Sequence, residues 1–399
     1  MPRLITRMTA RDTREEHRAS SPLELLFDLT FVVAIALVAA QLAHGIAAGH
    51  ALEELGPYLM VFFAIWWAWM NFTWFASAYD TDDVPYRVLV LLQMGGVLVL
   101  AAGVPSAFEE QDFTAVTVGY LIMRVGLVAL WIRAGIQHPA GRATAFRYAA
   151  GITVVQAMWV TRLSFGEAAP WWLFLVCALA DLSVPLWAER TGTTAWHPHH
   201  IAERYGLFTI IVLGESVLAA TTGVQASLAG GGLSLDLVAI AVSGLVVLFA
   251  LWWLYFSEPA GDGLEEHRDL SYLWGYGHFA IFAALGALGA GLEVAVESAG
   301  HHVDVDSTVV AYAVAIPVAV FLVVLWAAHA PIVEKVVIHP LGIALAAAAV
   351  LLLPLAADAI GIAGALAGIA IALVVLLAVT LLGQRERAEA GPAGVGWEA

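Results

Sequence analysis

Lysine is almost missing from this chain: Lys335 stands alone beside sixteen arginines, and acids outnumber bases to give a net charge of −16 over 399 residues. No basic face can form against nucleic acid, which is not an expected partner. Cysteine is as scarce, with Cys177 alone inside an apolar run. A single thiol closes no disulfide and builds no cysteine zinc cage, and it leaves the redox compartment unread. Charged residues make up 13% of the chain and hydrophobic ones 61%, with a mean hydropathy of +0.84. Such low polarity excludes a soluble domain of this length and points to a multi-span membrane protein. Reaction motifs are missing too: there is no Gly-x-Ser-x-Gly elbow and no His-Glu-x-x-His helix. The run His197-Pro-His-His200 falls in a loop without nearby cysteine, and Gly230-Gly-Gly232 lacks a following Lys-Ser or Lys-Thr, so it is expected as a flexible outer loop. No enzyme activity, metal or cofactor is expected. Residues 1–20 are polar and arginine-rich, with no small-residue cleavage site, so the first span is expected to be retained.

What the chain does have is apolar runs of about 20 residues, the length that crosses a bilayer as helix. They fall near 22–45, 56–78, 84–106, 113–134, 142–163, 168–188, 202–223, 234–256, 271–296, 307–330, 337–357 and 361–383. The spans are too long and too uniformly apolar for barrel strands, so the expected fold class is an all-α polytopic membrane protein of about twelve transmembrane helices. Flanking arginines mark cytoplasmic loops. With the N-terminus inside, Arg3, Arg7, Arg11, Arg14, Arg18, Arg87, Arg133, Arg142, Arg147, Arg190, Arg268, Lys335, Arg385 and Arg387 all fall inside, and only Arg162 falls clearly outside. Both termini are therefore expected to be cytoplasmic, in the cell membrane. Trp171, Trp172 and Trp187 fall at span ends as interface anchors, whereas Trp66, Trp67, Trp69 and Trp74 lie deeper, between helices.

The expected organisation is a basic cytoplasmic tail (1–21), a first six-helix half (22–190), a His-rich cytoplasmic linker (191–201), a second six-helix half (202–383) and a cytoplasmic C-terminal tail (384–399). Glu24-Leu-Leu-Phe-Asp-Leu-Thr30 overlays Glu203-Arg-Tyr-Gly-Leu-Phe-Thr209 at an offset of 179 residues, and Trp66-Trp67 recurs as Trp252-Trp253. Six spans per half is an even number, so the halves would be parallel repeats about an axis along the membrane normal.

Ionisable groups inside the spans cost free energy in hydrocarbon, roughly 2.5 to 3.5 kcal/mol each on an insertion scale, so they mark functional positions. Glu215 is such a group, well inside an apolar helix that opens at Glu203-Arg204; Arg204 and Glu215 are eleven positions apart and share a stripe. Glu24 and Asp28 share a face of the first span, either as a stabilised helix start or as a cation-attracting mouth or proton relay. Arg124 keeps its proton and needs an anion among Glu215, Asp181, Glu24 and Asp28. Asn71, Gln93, Gln156, His278 and Glu293 are the other polar groups that lipid cannot solvate, with His278 either titrating or bracing helices.

Three segments, Pro22-Leu-Glu-Leu-Leu-Phe-Asp-Leu-Thr-Phe-Val32, His200-Ile-Ala-Glu-Arg-Tyr-Gly-Leu-Phe-Thr-Ile-Ile-Val-Leu-Gly-Glu215 and Tyr276-Gly-His278, resemble the bacterial low temperature requirement protein A family. The resemblance implies a multi-pass membrane protein linked by name to growth in the cold, without implying an activity. The spacing of Glu24, Asp28, Phe31 and Ile35 is also similar to the first helix of the lysosomal potassium-channel family with a Phe-Ser-Asp signature, which occurs as duplicated six-span halves. Here the signature reads Leu26-Phe27-Asp28, and Gly206-Leu207 stands where the second half would carry its acid. The leading expectation is permeation of an ion or small solute, by a proton-linked transporter or a cation channel, along Glu24, Asp28, Arg124, Asp181, Glu203, Arg204, Glu215 and His278. The other reading is a non-transporting sensor or scaffold whose polar residues only brace helices. The lipid bilayer is the expected partner, and a homo-oligomer is compatible with the sequence.

Overall fold

The computed structural model describes residues 4–13, 15, 19–166, 169–230, 234–258, 260–300, 303–333 and 336–389. Arg3, Arg14, Arg18, Lys335, Gly231 and Gly232 lie outside the described residues, as do the tail beyond 389 and the side chain of Arg387. Every regular element among the described residues is helical. Among the described residues, ten stretches are long and apolar enough to cross a membrane. One of them, Pro340–Arg385, holds two helices, and Arg142–Leu163 matches a span in length while carrying three arginines. The protein is thus a polytopic helical membrane protein of about twelve spans.

The chain forms two compact units. The first takes in residues 1–45 and 50–211, with helices α1 (Pro22–Ala47), α2 (Ala51–Tyr79), α3 (Val84–Ala102), α4 (Val104–Glu109), α5 (Thr114–Gln137), α6 (Arg142–Leu163), α7 (Trp171–Ala188) and the start of α8 (Pro198–Gly230). Ser21 and Glu24 open α1 reciprocally: the Ser21 amide donates to Glu24 Oε2 at 2.8 Å, and the Glu24 amide donates to Ser21 Oγ at 3.3 Å. With Pro22 between them, this is a capping box that satisfies amides the helix itself leaves free. The expected span at 84–106 is shorter than anticipated: α3 stops at Ala102, Gly103 breaks it, and Val104–Glu109 forms a separate short helix. Helices α3 and α5 pack backbone to backbone at Gly96 and Gly119. A methyl on Gly119 would run into the Leu100 amide and the Gly96 carbonyl, the small-residue contact that draws membrane helices together.

The described part of the basic tail is held against this unit. Thr6 donates its amide to Asp83 Oδ2 at 2.8 Å, Arg133 Nη1 donates to Asp83 Oδ1 at 2.8 Å and Arg133 Nη2 to the Thr6 carbonyl at 2.7 Å. Met8 donates its amide to Gln137 Oε1 and is fully buried. Burial alone would raise the Asp83 carboxyl, but hydrogen bonds from Arg133, Thr6 and Tyr86 and the Arg133 charge outweigh it and hold Asp83 below the usual carboxylate range. The folded pKa is therefore lower than the unfolded value of about 3.9, so this stabilisation is complete above that value and is lost as pH falls through the folded one. Hydrogen exchange at the Thr6 and Met8 amides should stay slow down to about pH 5 and accelerate below about pH 4, whereas Asp83→Asn should exchange fast throughout. Equal protection in the variant at neutral pH would show that Asp83 does not hold the tail.

The second unit takes in residues 46–49 and 212–399, with the rest of α8 and helices α9 (Leu235–Phe256), α10 (Ala260–Glu266), α11 (Ser271–Ala299), α12 (Ser307–His329), α13 (Pro340–Leu352) and α14 (Ala357–Glu389). Ser234 caps α9, Asp306 caps α12 and His339 caps α13. Pro354 turns the end of α13 into a 3-10 segment, and Gly361 breaks the helical path within α14 with φ 74°. This left-handed geometry suits glycine. It reverses the chain, since Gly342 faces Leu376 while Leu353 faces Gly368, which makes the last two spans antiparallel.

Candidate functional site

In the first unit, α1 and α8 present matching pairs of polar residues. Glu24 and Asp28 are four apart on α1, and His200 and Arg204 are four apart on α8. Helical spacing puts each pair on one face, and the two faces meet. Arg204 Nη1 lies 2.9 Å from Glu24 Oε1, and Arg204 Nε donates to Asp28 Oδ2 at 3.0 Å. His200 Nε2 is 3.2 Å from Glu24 Oε1, and the Trp69 indole N–H from α2 donates to Asp28 Oδ1 at 2.7 Å. Thr73 Oγ1 accepts from Arg204 Nη2 at 3.4 Å. All of these side chains are buried, and aromatic rings enclose them: Trp69 stacks on Phe208 with centroids 4.2 Å apart, and Phe27 packs on Phe72 at 4.1 Å. Glu24, Asp28, His200 and Arg204 thus form one buried charged network, in which the guanidinium reaches both carboxylates. Both acids are buried in this contact. Glu203, expected with them, is exposed and accepts from the Ser20 amide at 3.2 Å.

His200 and Trp69 are the residues that sequence reasoning missed. In the sequence His200 stands out as part of a His-rich run and of the segment ending at Glu215, although its four-residue step to Arg204 mirrors Glu24 to Asp28. The expected linker is likewise packed, with Trp196, His197 and His200 buried and His197 Nε2 2.8 Å from the Glu15 carbonyl.

A second cluster in the same unit joins α5, α6 and α7. Arg124 finds its anion in Asp181, at 3.9 Å, and its guanidinium donates to the Tyr120 hydroxyl. Tyr120 in turn donates to Asp181 Oδ2 at 2.9 Å, and Trp159 Nε1 donates to the same oxygen at 2.7 Å. The tyrosine hydroxyl therefore bridges a loosely spaced ion pair. Arg124 Nε and Nη1 and both amide atoms of Gln156 are buried with no hydrogen-bond partner among the described residues. Buried polar atoms are nearly always satisfied, so these open positions set the cluster apart from the packed interior around it. Tyr120, Trp159 and Thr117 line a small cavity of about 20 Å³, which shares Phe113 and Arg162 with a wider vestibule of about 680 Å³ between the start of α5 and the end of α6.

The remaining expected residues belong to the second unit. Glu215 is half-buried on α8; its charge repels Glu293 of α11, which also faces Glu297. Arg204 is committed to Glu24 and Asp28, so it does not continue as an ion pair to Glu215. His278 is fully buried, its Nδ1 2.7 Å from the Trp274 carbonyl and its Nε2 3.1 Å from the Tyr255 hydroxyl. His329 repeats the pattern, with Nδ1 3.0 Å from the Leu325 carbonyl and Nε2 accepting from Trp274. A carbonyl at Nδ1 requires a proton there, and the Trp274 indole N–H requires a lone pair on His329 Nε2, so His329 is a neutral ring bracing helices.

These features define a many-helix membrane protein whose interior carries ionisable side chains in organised clusters. The chain belongs to the bacterial low temperature requirement A protein (LtrA) family, whose sequence pattern matches residues 19–380. It is 29% identical over 301 residues to an uncharacterized protein of Rhizobium meliloti (strain 1021), a match covering 70% of each chain. No solved structure matches the chain.

Proposed function

We propose that the protein is a proton-linked permeation protein of the cell membrane, carrying a small solute through the first unit. The observation that carries this reading is the Arg124–Tyr120–Asp181 cluster, with unmet hydrogen-bonding capacity, lying beneath a cavity that adjoins an open vestibule. Charged Asp181 holds Arg124 through Tyr120; a proton on Asp181 cancels the attraction and frees the guanidinium, so proton uptake and solute contact compete for one carboxylate. The Glu24–Asp28–His200–Arg204 cluster braces α1 against α8. Glu215 and Glu293 supply a further protonatable pair in the second unit. The halves 22–190 and 202–383 fit this role as parallel repeats, and the chemistry is non-enzymatic.

Reconstituted vesicles test the proposal. Wild-type protein should dissipate an imposed pH gradient, followed by an entrapped dye, faster than protein-free vesicles, and Asp181→Asn should abolish the difference. Flux unchanged in that variant would remove Asp181 from the path, and Glu215→Gln run alongside would show whether the second unit carries it instead. Flux absent from wild-type vesicles would favour the scaffold reading.

A further inference from the structure

Arg162 stands apart from every other base in the protein. It is the one basic residue that falls clearly on the outer side of the arginine pattern, yet its side chain is only 7% exposed. It has no ion pair among the described residues, and its buried Nε has no hydrogen-bond partner. The guanidinium lies over the rings of Phe113, 5.3 Å away, and Phe174, 5.8 Å away, and lines both the vestibule and the cavity beneath it. Ring faces supply part of a cation's lost hydration, but they supply no acceptor for its N–H donors. A buried cation at the floor of an open pocket is a receptor for an anionic group, and a carboxylate matches its planar fork.

The rim carries the opposite sign. Glu110 and Asp112 are exposed at the vestibule mouth, with Asp112 Oδ1 accepting from the Thr114 amide at 2.8 Å. Hydrogen bonds from the Thr114 side chain and amide hold Asp112 below the usual carboxylate range, so the rim is negative at neutral pH. A multiply charged anion would be repelled on entry. A molecule that carries a carboxylate and an ammonium on neighbouring atoms complements both signs lining the vestibule, and Phe113 and Phe165 offer its side chain an apolar wall. A volume of about 680 Å³ is in the range of small-molecule sites.

We infer that this vestibule binds a small zwitterion of the amino-acid class, with its carboxylate on Arg162 and its ammonium toward Glu110 and Asp112. The inference deepens the permeation reading, on which it rests for its purpose, by naming the solute.

Calorimetric titration of the purified full-length protein in detergent tests it without any flux. L-phenylalanine should bind; phenethylamine, which lacks the carboxylate, and inorganic phosphate should not. Arg162→Gln should weaken L-phenylalanine binding by at least about tenfold, the loss of hydrogen bonds to a charged group. Glu110 is exposed, so Glu110→Gln should leave the fold intact; it should weaken L-phenylalanine while strengthening 3-phenylpropionate, which lacks the ammonium. If Arg162→Gln fails to fold, the ligand series on the wild type and Glu110→Gln decide the question. No binding of L-phenylalanine to the wild type, unchanged binding to Arg162→Gln, or preference for phosphate would each overturn the proposal. Binding without flux in vesicles would leave the site standing and refute transport instead.

Discussion

Arg204→Ala is expected to lose about 3–5 kcal/mol of stability, enough to leave little folded protein after extraction, because it strands Glu24 and Asp28 in the interior without their cation. The cost comes from the carboxylates left behind more than from the guanidinium removed. A triple variant, Arg204→Met with Glu24→Gln and Asp28→Asn, should therefore recover most of the loss, since none of its three side chains carries a charge. The check is thermal unfolding in detergent followed by size-exclusion profile. A triple variant no more stable than Arg204→Ala would show that the cluster does more than balance charge. His200→Ala should cost less, because Glu24 keeps its contacts to Arg204 and the Ser21 amide.

The second large effect separates a brace from a path. Arg124→Gln removes the cation facing Asp181 and should cost about 3–5 kcal/mol by the same logic. Asp181→Asn added to it should restore stability, because Tyr120 and Trp159 still donate to the amide oxygen and no charge is left unpaired. Flux should not return, since the double variant has no carboxylate to take up a proton. Stability and flux restored together would mean that the pair is structural and that protons cross elsewhere.

Much of this architecture was legible in the chain. The spans followed from apolar length, whereas the helix ends at the Ser21–Glu24 capping box and at Gly361 emerged only with the structure. Partners across helices were not legible in the same way, because periodicity fixes which residues share a face and leaves open which face they meet. Arg204 illustrates this: its stripe toward Glu215 was visible, but its charge goes to Glu24 and Asp28 on another helix. Arg124 was correctly in need of an acid, and only packing selected Asp181 among the four available. The overlay of residues 24–30 on 203–209 shows the same limit, since Glu24 is buried and Glu203 exposed, and Trp66-Trp67 is buried where Trp252-Trp253 is exposed. Matching letters at a fixed offset did not predict matching surroundings. Arg162 was visible only as an exception to the charge pattern, and its meaning came from the pocket it lines.

Access to the cavity at Thr117 tests the permeation claim most directly. Cys177→Ser removes the one native thiol, and Thr117→Cys then places a single reporter on the cavity wall between vestibule and Asp181. A membrane-impermeant cationic thiol reagent should label this cysteine in vesicles, at a rate that changes when the pH gradient is reversed and protonation of Asp181 shifts the cluster. No labelling under either gradient would mean that the interior stays closed and dry, and would contradict the account.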